Sequence, residues 1–111
     1  MAKTRASTLK IINQFVKVAK KQLDIKKIVL FGSHATSKAH EWSDIDLAVV
    51  SDDFKDMDFH DRLLLLNRIT WDGGMTEIDA LGYTSEEFET ENPLDLVTEI
   101  KEHCVVVYEK L

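Results

Sequence analysis

Three aspartates and one glycine-serine pair carry most of the chemical potential of this 111-residue chain. In "KIVLFGSHATSKAHEWSDIDLAVV" (residues 27–50) an apolar run breaks at Gly32-Ser33, a polar loop of ten residues follows, and a second apolar run opens with Asp44-Ile45-Asp46. Side chains alternate along a strand, so Asp44 and Asp46 share a face and lie within ~7 Å of each other. Two carboxylates that close, at the mouth of an apolar strand, repel one another and resist desolvation. A divalent cation removes both problems. Magnesium fits, because it takes hard oxygen ligands, commonly one or two carboxylates completed by waters and substrate phosphates.

Asp79, in the apolar segment "TEIDALGYT", is a third candidate. If its strand neighbours the one holding the pair, it could share a second metal or accept a proton from an attacking hydroxyl. Glu77 has the same side-chain parity and is the rival. Asp79 is preferred because it lies deeper in the apolar segment, where an unpaired acid is harder to accommodate. Gly32 lets the backbone approach a ligand closely, and a helical turn after it would offer N–H groups, with the Ser33 hydroxyl, to a phosphate. A phosphate-binding turn and a metal-binding pair would then converge on one nucleoside triphosphate. Taken singly, a D-x-D at a strand start is more often a solvated turn. The joint occurrence points to a site.

The elements that hold these residues can be read from periodicity. Leu9, Ile12, Val16, Ala19 and Leu23 recur at spacings of three and four, which predicts an amphipathic helix over residues 7–24. Residues 27–31 and 44–50 predict strands buried on both faces. "SDDFKDMD" (51–58) reads as a polar connector. Phe59, Leu63, Leu66 and Ile69, widened by Leu64 and Leu65, predict a helix over 58–70, and Asp72-Gly73-Gly74 a turn. Residues 76–84 predict a third strand, Asn92-Pro93 a helix start with Leu94, Val97, Ile100 and Cys104 inward, and 105–108 a last strand. This order predicts an α/β (α+β) domain, a small mixed sheet of about four strands flanked by helices, with residues 1–111 forming a single domain.

Composition narrows the function classes. The 44% apolar and 31% charged content is that of a globular protein. A net charge of −6 argues against direct nucleic-acid binding, which normally needs a basic stripe. Cys104 is the one cysteine, so no intrachain disulfide forms, and a cytoplasmic location is expected. No apolar run suits a signal peptide or a membrane span. His40, His60 and His103 lack metal-ligand spacing and read as surface residues, His34 as a loop residue or a phosphate contact. Trp71 reads as core or partner-facing, and Glu86 to Glu91 as a solvated face.

"FGSHATSKAHEWSDIDLAVV" resembles the signature of the minimal nucleotidyltransferases within the DNA polymerase beta-like superfamily. There a strand ends in Gly-Ser, a loop of similar length follows, and the next strand begins Ser-Asp-x-Asp-apolar. The resemblance covers nearly the whole chain. It implies a nucleotidyltransferase fold and magnesium-dependent transfer of a nucleoside monophosphate, AMP from ATP or its equivalent from another triphosphate, to an acceptor hydroxyl. Asp44, Asp46 and Asp79 would be the catalytic and metal-holding acids, and Gly32 and Ser33 the phosphate-contacting turn. Family members this short are often paired, in toxin–antitoxin modules, with a small all-helical HEPN protein whose tyrosine some of them modify. A homo-oligomer is also possible.

This chain departs from the pattern after Gly-Ser. Many short members read Gly-Ser-Arg-Ala-Arg-Gly, whereas here His34-Ala35-Thr36-Ser37 follows Ser33. Arginine neutralises triphosphate bidentately and histidine or threonine does not. Lys38 is the cation placed to compensate in part. Two alternatives stay open beside the transferase: a weak or inactive module of the same fold that acts by binding its partner, and a small-molecule nucleotidyltransferase.

Overall fold

The computed structural model describes residues 5–32, 44–90, 100–102 and 104–110. Helix α1 spans Arg5–Gln22 and leads into strand β1, Ile25–Phe31. Strand β2, Ile45–Ser51, is followed by a single 3-10 turn at Asp52–Phe54 and by helix α2, Phe59–Asp72. Strand β3 is Ile78–Tyr83, helix α3 is Ser85–Glu89, and strand β4 is Val105–Glu109. The four strands form one sheet in the order β3-β2-β1-β4. β1 runs antiparallel to both β2 and β4, whereas β2 and β3 are parallel, so the sheet is mixed as expected.

Strand alternation sends apolar residues to both faces, and each face is covered. Ile28, Leu30, Ile45, Leu47, Val49, Ile78 and Ala80 meet Ile12, Phe15 and Ala19 of α1, Leu23 just beyond its end, and Leu66 and Ile69 of α2. On the opposite face Val29, Ala48, Val50 and Tyr83 pack with Phe88 of α3 and with Ile100, which lies in a helical segment. Burial on both faces explains the unbroken apolar runs of β1 and β2.

Several expected details are corrected. The buried stripe of α1 is Thr8, Ile12, Phe15 and Ala19, continued by Leu23 just past the helix end, while Leu9 is 42% exposed and Val16 only half-buried. The large ring of Phe15 fixes the phase of the helix against the sheet. β1 begins at Ile25, two residues before the expected start, with a register shift against β2 between Ile25 and Lys27. In the connector, Phe54 is fully buried, with Ser51 capping the 3-10 turn by accepting from the Asp53 amide.

α2 buries Arg62, Leu66, Ile69 and Thr70, while Phe59 and Leu64 are exposed. Glu86, Glu87 and Glu89 are exposed, as expected of the acidic stretch, but they belong to α3, which is fixed by a capping box between Thr84 and Glu87 and anchored by buried Phe88. Cys104 is half-buried against the second cluster, and Trp71 is 73% exposed, which resolves its reading toward the outer surface. His60 is exposed, as expected. The expected helix start at Asn92-Pro93, with Leu94 and Val97, lies outside the described residues, as do His34, His40 and His103. Among the described residues no helix is long and apolar enough to cross a membrane.

Candidate active site

At the end of β1 the backbone reaches Gly32 with φ +72°, a left-handed conformation that favours glycine. β2 runs back beside it, so Phe31 pairs with Asp46. The Asp46 carboxylate occupies the space that a Cβ at position 32 would fill, with Oδ2 in direct overlap and Cγ 3.3 Å away. The glycine is therefore required twice, by its backbone angle and by the acid seated over it. That cradle is what positions Asp46.

β3 brings the third acid alongside. In the parallel β2–β3 ladder Asp46 is the register partner of Asp79, which places their Cα atoms about 5 Å apart. Asp46 shares its face with Ala48 and Val50, and Asp79 with Leu81 and Tyr83, so both project on the side of the sheet covered by α3 and Ile100. Phe31 stands on that same face and forms an apolar wall beside the acids. Its place there follows from alternation with Val29, a signal present in the sequence but not singled out.

Asp44 sits just ahead of β2 and is exposed. The Ile45 amide donates to the Glu77 carbonyl at 2.8 Å, so Glu77 flanks Asp44 one step outward from the Asp46–Asp79 pair. The order of the two rival acids is thus geometric: Asp79 lies against Asp46 and Glu77 against Asp44. The depth argument for Asp79 is corrected, since Asp79 is exposed and Glu77 half-buried. Position 79 falls near the open end of the sheet, where nothing among the described residues covers it. Ser33 and Lys38 lie outside the described residues.

Among the described residues no set of three or more His, Cys, Asp or Glu side chains is gathered tightly enough to hold a metal ion unaided. Magnesium does not demand such a set, because it retains waters and is typically held by one or two carboxylates together with substrate phosphates. Carboxylate oxygens at an open strand end, two of them on register partners, are donors of that kind. The chemistry of the donor set fits the ion.

Residues 12–111 match the Nucleotidyltransferase domain family, and the chain belongs to it. In three dimensions the chain is similar to a candidate nucleotidyltransferase from Sulfolobus solfataricus, with a TM-score of 0.72 at 20% identity over 93% of this chain and 81% of that one. It is also similar to a chain of a toxin–antitoxin structure solved with AMP-PNP, with a TM-score of 0.59 at 19% identity over 88% of this chain and 73% of that one. At these identities the likeness is one of fold. No protein of curated function matches the sequence significantly.

Proposed function

We propose that this single domain is a magnesium-dependent nucleotidyltransferase that moves AMP from ATP to a hydroxyl of a protein partner in the cytoplasm. The partner is a HEPN-type all-helical protein, for which the chain serves as antitoxin. The observation that carries the reading is the pairing of Asp46 with Asp79 on adjacent parallel strands, over a glycine whose missing Cβ admits the carboxylate. The fold likeness to a chain of a toxin–antitoxin structure with AMP-PNP supports the nucleotide and the biological setting.

In this reading Asp44, Asp46 and Asp79 would hold the metal, which would neutralise triphosphate charge and polarise the α-phosphoryl group. The Gly32-Ser33 turn admits the triphosphate close to the backbone, and Lys38 balances part of its charge. The acceptor oxygen forms a bond to the α-phosphorus as the bond to the bridging oxygen breaks. Pyrophosphate leaves, and the hydroxyl proton passes to the Asp79 carboxylate. Phe31 excludes water from one side of the reacting groups.

The test is incubation with labelled ATP, magnesium and the protein encoded beside this one. Label should move to that protein, and Asp44→Asn with Asp46→Asn should abolish the transfer. Label transfer that survives the double variant sinks the assignment of the acids. A second reading, a non-catalytic module, is favoured by His34 and Thr36 standing where arginines are usual. It expects a stable stoichiometric complex with no response to ATP and magnesium.

A further inference from the structure

The charge of this acidic chain is divided unevenly. Residues 1–27 carry eight Lys and Arg against one acid, Asp24, whereas residues 28–111 carry six against nineteen. Part of the basic segment converges on a cavity of about 470 Å³ at the C-terminal end of α1, lined by Lys20, Lys21, Leu23, Asp24, Tyr108 and Lys110. Helix-end lysines alone would be explained by the helix dipole. Tyr108 and Lys110 come instead from β4, at the other end of the chain. Lys20 Nζ stands 4.8 Å from the centre of the Tyr108 ring, and Lys110 Nζ is 2.8 Å from Asp24 Oδ1. Lys21 is exposed and, among the described residues, makes no ion pair.

The cavity lies at the start of β1, whereas Gly32 and Asp46 lie at its end, a separation of roughly 20 Å along the strand. It therefore takes no part in the transfer site. We propose that it is a docking site for an acidic segment of a protein partner, with carboxylates on the lysines and an apolar or aromatic side chain against Tyr108. The inference rests on the reading that the partner is a protein.

A polynucleotide is the less suitable occupant. A continuous phosphate backbone would meet the Asp24 carboxylate inside the cavity and Asp53 beside it, whose Oδ2 accepts from the Asp24 amide at 2.8 Å, whereas a short peptide can place its acids on the lysines alone. The half-buried Tyr108 ring likewise offers apolar contact that suits a side chain.

The test uses the full chain without nucleotide or metal, and a fluorescein-labelled peptide of repeated Glu-Glu-Phe as probe, with an oligothymidylate of equal charge for comparison. The peptide should bind saturably and more tightly than the oligonucleotide. Lys20→Glu with Lys21→Glu should weaken it at least about tenfold, and Lys21→Gln, which removes one positive charge, about threefold. Lys10→Glu, on the same helix but outside the cavity, should leave binding within about twofold. Tighter binding of the oligonucleotide, an equal loss with Lys10→Glu, or no saturable binding overturns the proposal. Asp46→Asn should bind the peptide as the parent does. Failed peptide binding with intact nucleotide transfer thus refutes the docking site alone, and the converse refutes the transferase reading alone.

Discussion

Asp46 and Gly32 form a unit in which each explains the other. The carboxylate sits where a Cβ would be, so any side chain at position 32 must move the acid or the strand end. Gly32→Ala also places alanine at φ +72°. The strain costs about 1–2 kcal/mol, which a thermal melt would register as a modest loss. Nucleotide transfer should fall much further, because the displaced group is the acid itself. A variant with normal activity and a lowered melting temperature would show that the glycine serves only the backbone. Asp79→Asn should abolish transfer while Glu77→Gln reduces it weakly, since only Asp79 is the register partner of Asp46. The sequence pointed to Gly32 and Asp46 through local patterns, Gly-Ser after an apolar run and D-x-D before one, and to Asp79 and Glu77 as acids within a third apolar segment. It could not tell the depth of Asp79, which depends on where the sheet ends in space.

Arg62 and α3 are what periodicity alone failed to place. A long cation within "DRLLLLNRIT" reads as an outward residue, yet Arg62 is 6% exposed. Its Nε donates to the Met57 carbonyl at 3.0 Å, its Nη1 to Glu87 Oε1 at 2.5 Å, and its guanidinium lies 5.8 Å from the Phe54 ring. Glu87 Oε1 also accepts from the Thr84 amide at 2.8 Å, completing the cap of α3. One carboxylate therefore ties α2 to α3, a link between residues 25 apart that no local pattern encodes. Glu87→Ala removes the cap and leaves buried Arg62 short of a partner, so unfolding free energy should fall by about 2 kcal/mol in a denaturant titration. The Arg62 hydrogen bond, and then the Thr84 amide, hold the Glu87 carboxyl below the ordinary glutamate value despite some burial. A depressed folded-state value means that this stabilisation is present above roughly pH 4 and is lost as pH falls through the lower folded value. The acid limb of the stability profile should flatten in Glu87→Gln relative to the parent. Identical limbs in the two proteins would remove Glu87 from the account of acid unfolding.

The sheet divides the molecule into two cores, and the division separates stability from function. Phe15, Ile12, Leu47, Leu66 and Ile69 fill the face covered by α1 and α2, while the acids open onto the other face, beside the smaller cluster of Val29, Ala48, Tyr83 and Phe88. That the chain would make a covered mixed sheet was readable from seven periodic segments in order. Which face would hold the acids was not, because it depends on the register between β2 and β3. Phe15 is fully buried, and Phe15→Ala should cost about 3–5 kcal/mol, a large share of the ~5–15 kcal/mol typical of a domain. ATP with magnesium at a hundredfold excess over its Kd should add about 2.7 kcal/mol to the folded state by mass action. Phe15→Ala should keep that increment in full at a temperature where it is still folded, because the ring lies across the sheet from the acids. Asp46→Asn should show the opposite pattern, with parental stability in the absence of nucleotide and no increment in its presence. Loss of the increment in Phe15→Ala would mean that the two faces are mechanically coupled, and that the acids are positioned by the whole core and not by the Gly32 cradle.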